Sequence, residues 1–392
     1  MEQTLPSPIL SNSRIRIAVS ALFFLSGLCF SSWASRIPDI KERLQMSDGA
    51  LGLLLLGMPL GTLLSLPISG YLVDRYGSKS IIIIGTLLYA CFLPLLGLAP
   101  NLYMLGITVV IFGVGGNFLN ISMNTQAAGT EQRYGRTIMA SFHGLWSLAG
   151  FTGAGIGALM IGLQVKPLYH FIIIGGLALV ILFFALKSLL PDNSRAKAQK
   201  FVLQKPEKAL LRIGLIAFCG MMCEGCMFDW SGVYFKNIVM AENGMVAAGF
   251  TAFMSTMALV RFLSDRITNS IGTRKILIYS GMLIFIGLLI AILLPYLVPA
   301  MIGFFIVGAG VAAVIPLSFS SAGKSRQFSP GVAIALVATM GSFGFLLGPA
   351  LIGFIAEALS LKVSFALIAL MGLTISMIAF SGKPSQENTV TT

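Results

Sequence analysis

Apolar residues in this chain run in long unbroken stretches. Twelve such runs start near Ile15, Gly49, Ser80, Leu102, Thr137 and Leu168, then near Ile213, Val246, Lys275, Val298, Gly331 and Val363. A hydrocarbon layer about 30 Å thick is crossed by about 20 helical residues, which is the length of each run. The runs are apolar on every face, as expected of helices surrounded by lipid and one another. The pattern predicts an all-α membrane protein of twelve transmembrane helices. Most connections are short. The exception, PDNSRAKAQKFVLQKPEKALL at 191–211, divides a six-helix half at 1–190 from a second at 212–392. Arg14 and Arg16 before an apolar run resemble a signal peptide, but the run continues to about Trp33 without a small-residue cleavage site and many equal runs follow. It is expected to be the first span.

Composition agrees with lipid as the solvent. Only 10% of the 392 residues are charged and mean hydropathy is +0.91, whereas soluble domains carry roughly 25% charged residues. The net charge of +12 lies between the apolar runs rather than in a basic arm, which argues against nucleic acid as a partner. With the N-terminus placed in the cytoplasm, only Arg36, Lys41, Arg43, Lys166, Lys236 and Lys362 of the 26 Lys and Arg fall outside. This positive-inside bias predicts cytoplasmic termini and a cytoplasmic linker. Cys29, Cys91, Cys219, Cys223 and Cys226 lie in apolar segments, with no histidine beside them to complete a metal site. No cofactor or metal is expected.

The two halves repeat each other at a shift of about 195 residues. Asp74-Arg75 follows the second run and Asp265-Arg266 the eighth. Trp33 lies late in the first and Trp230 late in the seventh. Gly113 and Gly115 in the fourth match Gly308 and Gly310 in the tenth. Duplicated six-helix halves are a transporter architecture with the solute site between them.

The segment GYLVDRYGSK, Gly70 to Lys79, resembles the signature loop G-x-L-x-D-R-x-G-R-[RK] of the major facilitator superfamily, with Ser78 at the position of the usual Arg. A degenerate second copy runs from Arg261 through Asp265, Arg266, Gly272, Arg274 and Lys275. FLSGLCFSSWASRIPDIKERLQMSDGALGLLLLG in the first helix and EGCMFDWSGVYF in the seventh are similar to a branch of uncharacterised bacterial inner-membrane permeases distantly related to fucose–proton symporters. The resemblance covers essentially the whole chain. It implies the major facilitator fold of two pseudo-symmetric six-helix halves. It also implies a gating role for Gly70, Asp74, Arg75, Gly77, Lys79, Asp265 and Arg266, which lock the halves together in the outward-facing state. Independently of the family, Gly77 permits a sharp turn, and Asp74 can accept from a neighbouring helix end or pair with a basic residue. Ordinary topology charge is the alternative for the pair Asp74-Arg75.

Ionisable groups deep in a span are costly and mark pathways. Glu224 lies near the centre of helix 7, where desolvation penalises the charged form most. It is the first candidate for proton coupling, ahead of Asp229 and His143. Glu224 and Asp229 point about 140° apart around the helix. Asp229 is expected to pair with Arg36 if helices 1 and 7 pack together. Arg261 is expected to snorkel to the inner interface, and His170 and Glu357 to be solvated at the outer boundary. Asn117, Asn120 and Asn124 share one face of helix 4 and can bind a polar solute or join helices. With Trp33, Arg36 and Trp230 they make up the candidate solute contacts.

The reading is a secondary transporter, in a bacterial inner membrane, moving a small polar, sugar-like solute by alternating access with protons. Its expected partners are that solute, protons and lipid, and it is expected to be monomeric. The rivals are proton-coupled efflux of a hydrophobic compound and a non-transporting receptor. Helix 5 lacks the G-P-x-x-G-G element of drug antiporters, and duplicated halves have no explanation in a receptor. No HExxH, GxSxG or Walker-like element points to an enzyme.

Overall fold

The computed structural model describes residues 11–135, 138–191, 207–325, 327–328 and 330–381. Its spans are α1 (Asn12–Arg43), α2 (Asp48–Tyr76), α3 (Ser78–Leu98), α4 (Leu102–Tyr134), α5 (Met139–Gly162) and α6 (Pro167–Ser188). The second half has α7 (Lys208–Asn237), α8 (Ala248–Ile271), α9 (Thr273–Leu293), α10 (Leu297–Ala322), α11 (Pro330–Ala358) and α12 (Leu361–Ser381). Each begins within a few residues of the start expected from its apolar run. Among the described residues eleven of these helices are long and apolar enough to cross a membrane. The remaining one is α8, whose apolar stretch ends at Ser264 because Asp265 and Arg266 follow. Helix α7 begins at Lys208, inside the stretch expected to be linker; most of that linker lies outside the described residues.

The duplication seen in sequence is also one of packing. Gly77 ends α2 with φ of 86° and Gly272 ends α8 with the same φ. That region is open to glycine and strained for other residues, so the same tight turn closes both halves. A Cβ on Gly113 would collide with the backbone of Met58, and one on Gly308 with that of Phe253. A Cβ on Gly115 would sit 3.0 Å from the nitrogen of Tyr89, and one on Gly310 3.0 Å from that of Ile284. Paired glycines thus let α4 lie against α2 and α3 as α10 lies against α8 and α9.

Alternation of the spans puts the start of α1, the end of α6, the start of α7 and the end of α12 on one side of the bundle, here the linker side. On the far side the halves are fastened. Gly49 N donates to Glu357 Oε2 at 2.6 Å and Ser47 Oγ donates to the same oxygen at 2.9 Å. Lys236 pairs with Glu42. A Cβ on Gly52 would come within 2.7 Å of the Pro349 carbonyl, and one on Gly232 within 2.7 Å of Pro38. Toward the linker side Leu64, Ile68 and Tyr71 of α2 are exposed, and a Cβ on Gly70 would meet nothing within 4 Å. Between α2 and α11 the halves are thus in contact on the far side, while this stretch of α2 is uncovered toward the linker side.

Candidate functional site

Three helices meet at mid-height around one guanidinium. Arg261, past the middle of α8, donates from Nη2 to Glu224 Oε1 of α7 at 2.9 Å. Its Nη1 donates to Ser147 Oγ of α5 at 2.8 Å. Its Nε is buried with no partner among the described residues. Glu224 and Arg261 belong to the second half and Ser147 to the first, so this cluster bridges the halves in the middle of the bundle. Both charged side chains are largely buried, Glu224 at 12% and Arg261 at 15% exposure. Separately they would be prohibitive there; together they neutralise each other. Arg261 therefore does not snorkel to the interface: a carboxylate one helix away holds it in the interior.

Aromatic side chains form the wall on the far side of this bridge. Phe228, one turn beyond Glu224, packs edge-on against Phe30 of α1 at 5.1 Å and Phe253 of α8 at 5.8 Å. Trp146 of α5 stands 6.1 Å from Phe228. His143, one turn before Ser147, is exposed and stands edge-on to Phe23 at 5.2 Å. Asp229 is buried and has no hydrogen bond or ion pair among the described residues.

Helices α1 and α7 do pack together, through Gly232 on Pro38 and Phe228 on Phe30, but Arg36 does not pair with Asp229. It turns into its own half, where Nε donates to His170 Nδ1 at 3.3 Å, Nη1 to Asp39 Oδ2 at 2.5 Å and Nη2 to the Val165 carbonyl at 2.6 Å. Every nitrogen of its fork is used. His170 is fully buried beneath it rather than solvated, whereas Glu357 is exposed as expected and also bonds the start of α2. Trp33 and Trp230 are also fully buried, with Trp230 Nε1 lacking a partner among the described residues.

The asparagine stripe divides by environment. Asn117 is buried and donates to Ser65 Oγ and Ser69 Oγ of α2, each at 2.9 Å. Asn120 is exposed, and Asn124 donates to its carbonyl at 2.8 Å and to its side-chain oxygen at 2.9 Å. Asn117→Ala is expected to destabilise the first half by about 1–2 kcal/mol, the scale of an interhelical hydrogen bond in lipid. Thermal unfolding in detergent should show the loss while solute affinity is kept; lost affinity at an unchanged melting temperature would make Asn117 a solute contact instead.

The signature loop lies on the linker side. Asp74 is exposed, and Arg75 bonds the Tyr71 hydroxyl and lies over the Tyr71 and Tyr76 rings. Lys79 is partly buried and Arg266 exposed; the side chain of Asp265 lies outside the described residues. A groove between α8, α9 and α10, lined by Val260, Ile267, Tyr279 and Leu283, is mostly apolar and has no charged residue in its lining.

The model of the Major Facilitator Superfamily matches residues 19–330. The chain belongs to that superfamily. It is 33% identical over 365 residues to an uncharacterised MFS-type transporter of Yersinia pestis, covering 93% of this chain and 94% of that one. Among solved structures it superposes on the nucleoside transporter NupG with a TM-score of 0.73 at 14% identity, over 94% of this chain and all of that one. It superposes with a TM-score of 0.72 at 16% identity on a bacterial homologue of the lysosomal transporter Spinster in an inward-facing, occupied conformation, over 94% of this chain and 96% of that one. As a superfamily member it is a multi-pass membrane transporter and not an enzyme. Sequence reasoning had named Glu224 but missed its partners. Arg261 was visible as a charge inside STMALVRFLSD, while Ser147 carries no signal that separates it from other membrane serines.

Proposed function

We propose that this transporter moves a small polar solute by alternating access, driven by protons that bind Glu224. The observation that carries the reading is the Glu224–Arg261–Ser147 bridge. It places a titratable carboxylate, its counter-charge and a contact between the halves at one point. Protonating Glu224 removes the ion pair and frees Arg261, so proton binding changes the bond that joins the halves. A transporter couples an ion to motion when the ion binds the two states unequally. Asp229 and His143 are the reserve proton sites.

Asn120, exposed on α4, and the half-buried Asn124 beside it supply amide contacts to the solute. The conformation in contact on the far side is the inward-facing state, in a bacterial inner membrane, with both termini and the linker in the cytoplasm, a placement that the Lys/Arg asymmetry supports. In the opposite state Gly70, Asp74, Arg75, Gly77, Lys79, Asp265 and Arg266 close the linker side and Glu357 lets go of Gly49. The exposed Asp74 and Arg75 and the open space over Gly70 support a lock released in the present state.

The test starts from a thermal-stabilisation screen of the purified protein, since a ligand of the native state raises its stability. The compound found is then offered to proteoliposomes under an imposed pH gradient. Accumulation that follows the gradient, and collapses with a protonophore, is expected. Equal uptake with and without the gradient would overturn proton coupling.

A further inference from the structure

Only two arginines lie deep within the described spans, and they are in different situations. Arg36 has a partner on each of its three nitrogens. Arg261 does not. A carboxylate binds a guanidinium best across one edge, with two parallel hydrogen bonds to Nε and Nη2. Glu224 takes only Nη2 of that edge, while Nε is buried and unpartnered. The fork is half filled by a residue from a neighbouring helix, in a site walled by Phe228, Phe253 and Trp146, where low polarity strengthens contacts between charges.

We propose that the solute carries a carboxylate, which occupies the Nε–Nη2 edge of Arg261 when Glu224 is protonated and withdraws. This rests on the reading of Glu224 as the proton site and names the class of solute. The charges balance in both states. Empty, Arg261 is neutralised by Glu224; loaded, it is neutralised by the solute while Glu224 is neutral. A monocarboxylate and one proton therefore cross together with no net charge, and a pH gradient drives the movement while membrane potential does not. Other titratable and charged groups around the pair are few. They are His143 from α5, Asp229 from α7, and Arg14 and Arg16 at the linker end of α1. Asp265 and Arg266 stand at the linker end of α8. Arg36, Glu357 and Lys362 belong to the far end, and the spans of α10 and α12 facing the pair carry none. None of these but Ser147 and Glu224 bonds Arg261 at the described residues.

The experiment uses the purified full chain and three acid–amide pairs: benzoate with benzamide, lactate with lactamide, and glucuronate with glucuronamide. Thermal stabilisation ranks binding, and uptake of the best binder is then measured in proteoliposomes with potential set by potassium and valinomycin. At least one acid should stabilise the wild type and its amide should not. Arg261→Lys, a point charge without the fork, should weaken that acid by ten-fold or more. Glu224→Gln should bind it at least as tightly as wild type, with the pH dependence gone. The double variant Arg261→Gln with Glu224→Gln leaves neither charge unpaired in the fold, and should stay folded but bind no acid. Uptake should follow the pH gradient at any potential.

Amides binding as well as acids would overturn the proposal. So would acid binding that survives in the double variant, uptake that follows potential, or no stabilisation by any of the three acids. The two readings fail differently. Proton-driven uptake of a neutral amide, uncoupled by Glu224→Gln, overturns the carboxylate and leaves Glu224 as the proton site. Acid uptake through Arg261 that ignores the pH gradient overturns the proton site instead.

Discussion

Glu224→Gln is expected to abolish proton-driven accumulation in proteoliposomes while solute exchange without a gradient survives. The amide keeps the size of the side chain but not its charge, so like the protonated carboxyl it gives up the hold on Arg261 Nη2 that the carboxylate has at 2.9 Å. It cannot take up a proton, so the site no longer distinguishes acid from neutral conditions. A pair of charges removed from water is held together mainly by mutual neutralisation, and replacing one by a neutral group leaves the other exposed to a desolvation cost of several kcal/mol. Arg261 then favours any state or ligand that neutralises it. Exchange, which needs only the two orientations of the loaded carrier, continues. Net accumulation, which needs the proton to bind on one side and leave on the other, stops. Full accumulation in the variant would exclude Glu224, and Asp229 or His143 would take its place.

Arg36→Ala is expected to be strongly destabilising, on the order of 3 kcal/mol. The side chain is buried to 2% exposure and ties α1 to the start of α6 through His170 and to the α5–α6 connection through Val165. Its removal leaves His170 Nδ1 unsatisfied in the interior and the half-buried Val165 carbonyl without its donor. Asp39, at 23% exposure, is reached by water and adds less. Thermal unfolding in detergent should fall steeply, while His170→Leu, which is closer to the volume of the imidazole and removes one bond, should fall less. A normal melting temperature with weakened solute binding would return Arg36 to the solute contacts.

These two arginines show what a sequence of this kind conveys. The twelve helices were legible because lipid demands continuous apolar length, which is a local property of the chain. The duplication was legible because Gly77 and Gly272, or Gly113 and Gly308, are forced by tight turns and close helix contacts that permit little else. Depth of a charge in a span was likewise readable, hence Glu224. Direction around the helix was not. Arg261 finds Glu224 at a separation of 37 residues and Ser147 at 114, Arg36 finds His170 at 134, and Glu357 finds Gly49 at 308. Hydropathy fixes height in the membrane but not which neighbour a side chain meets. Residues expected at an interface were therefore misplaced whenever a buried partner stood at the same height. The same limit made one stripe of Asn117, Asn120 and Asn124: periodicity puts them on a common face, and only the position of α2 separates the bonded Asn117 from the exposed Asn120.

Alternating access between two states is the central claim, and spin-label distances across both ends of the bundle test it most directly. Only Cys91 of the five native cysteines is exposed, so a background lacking it accepts labels at chosen sites. One pair, Tyr71→Cys with Ala335→Cys, spans the linker side between α2 and α11. The other, Leu53→Cys with Leu359→Cys, spans the far side. Glu357→Gln weakens the far-side latch by removing the charge that accepts from Gly49 N and Ser47 Oγ. At an exposed carboxylate such bonds are worth about 1 kcal/mol, enough to shift a near-balanced equilibrium about five-fold. In that variant the linker-side distance should shorten as the far-side distance lengthens. Distances that stay at their wild-type values, or that lengthen together at both ends, would contradict the account.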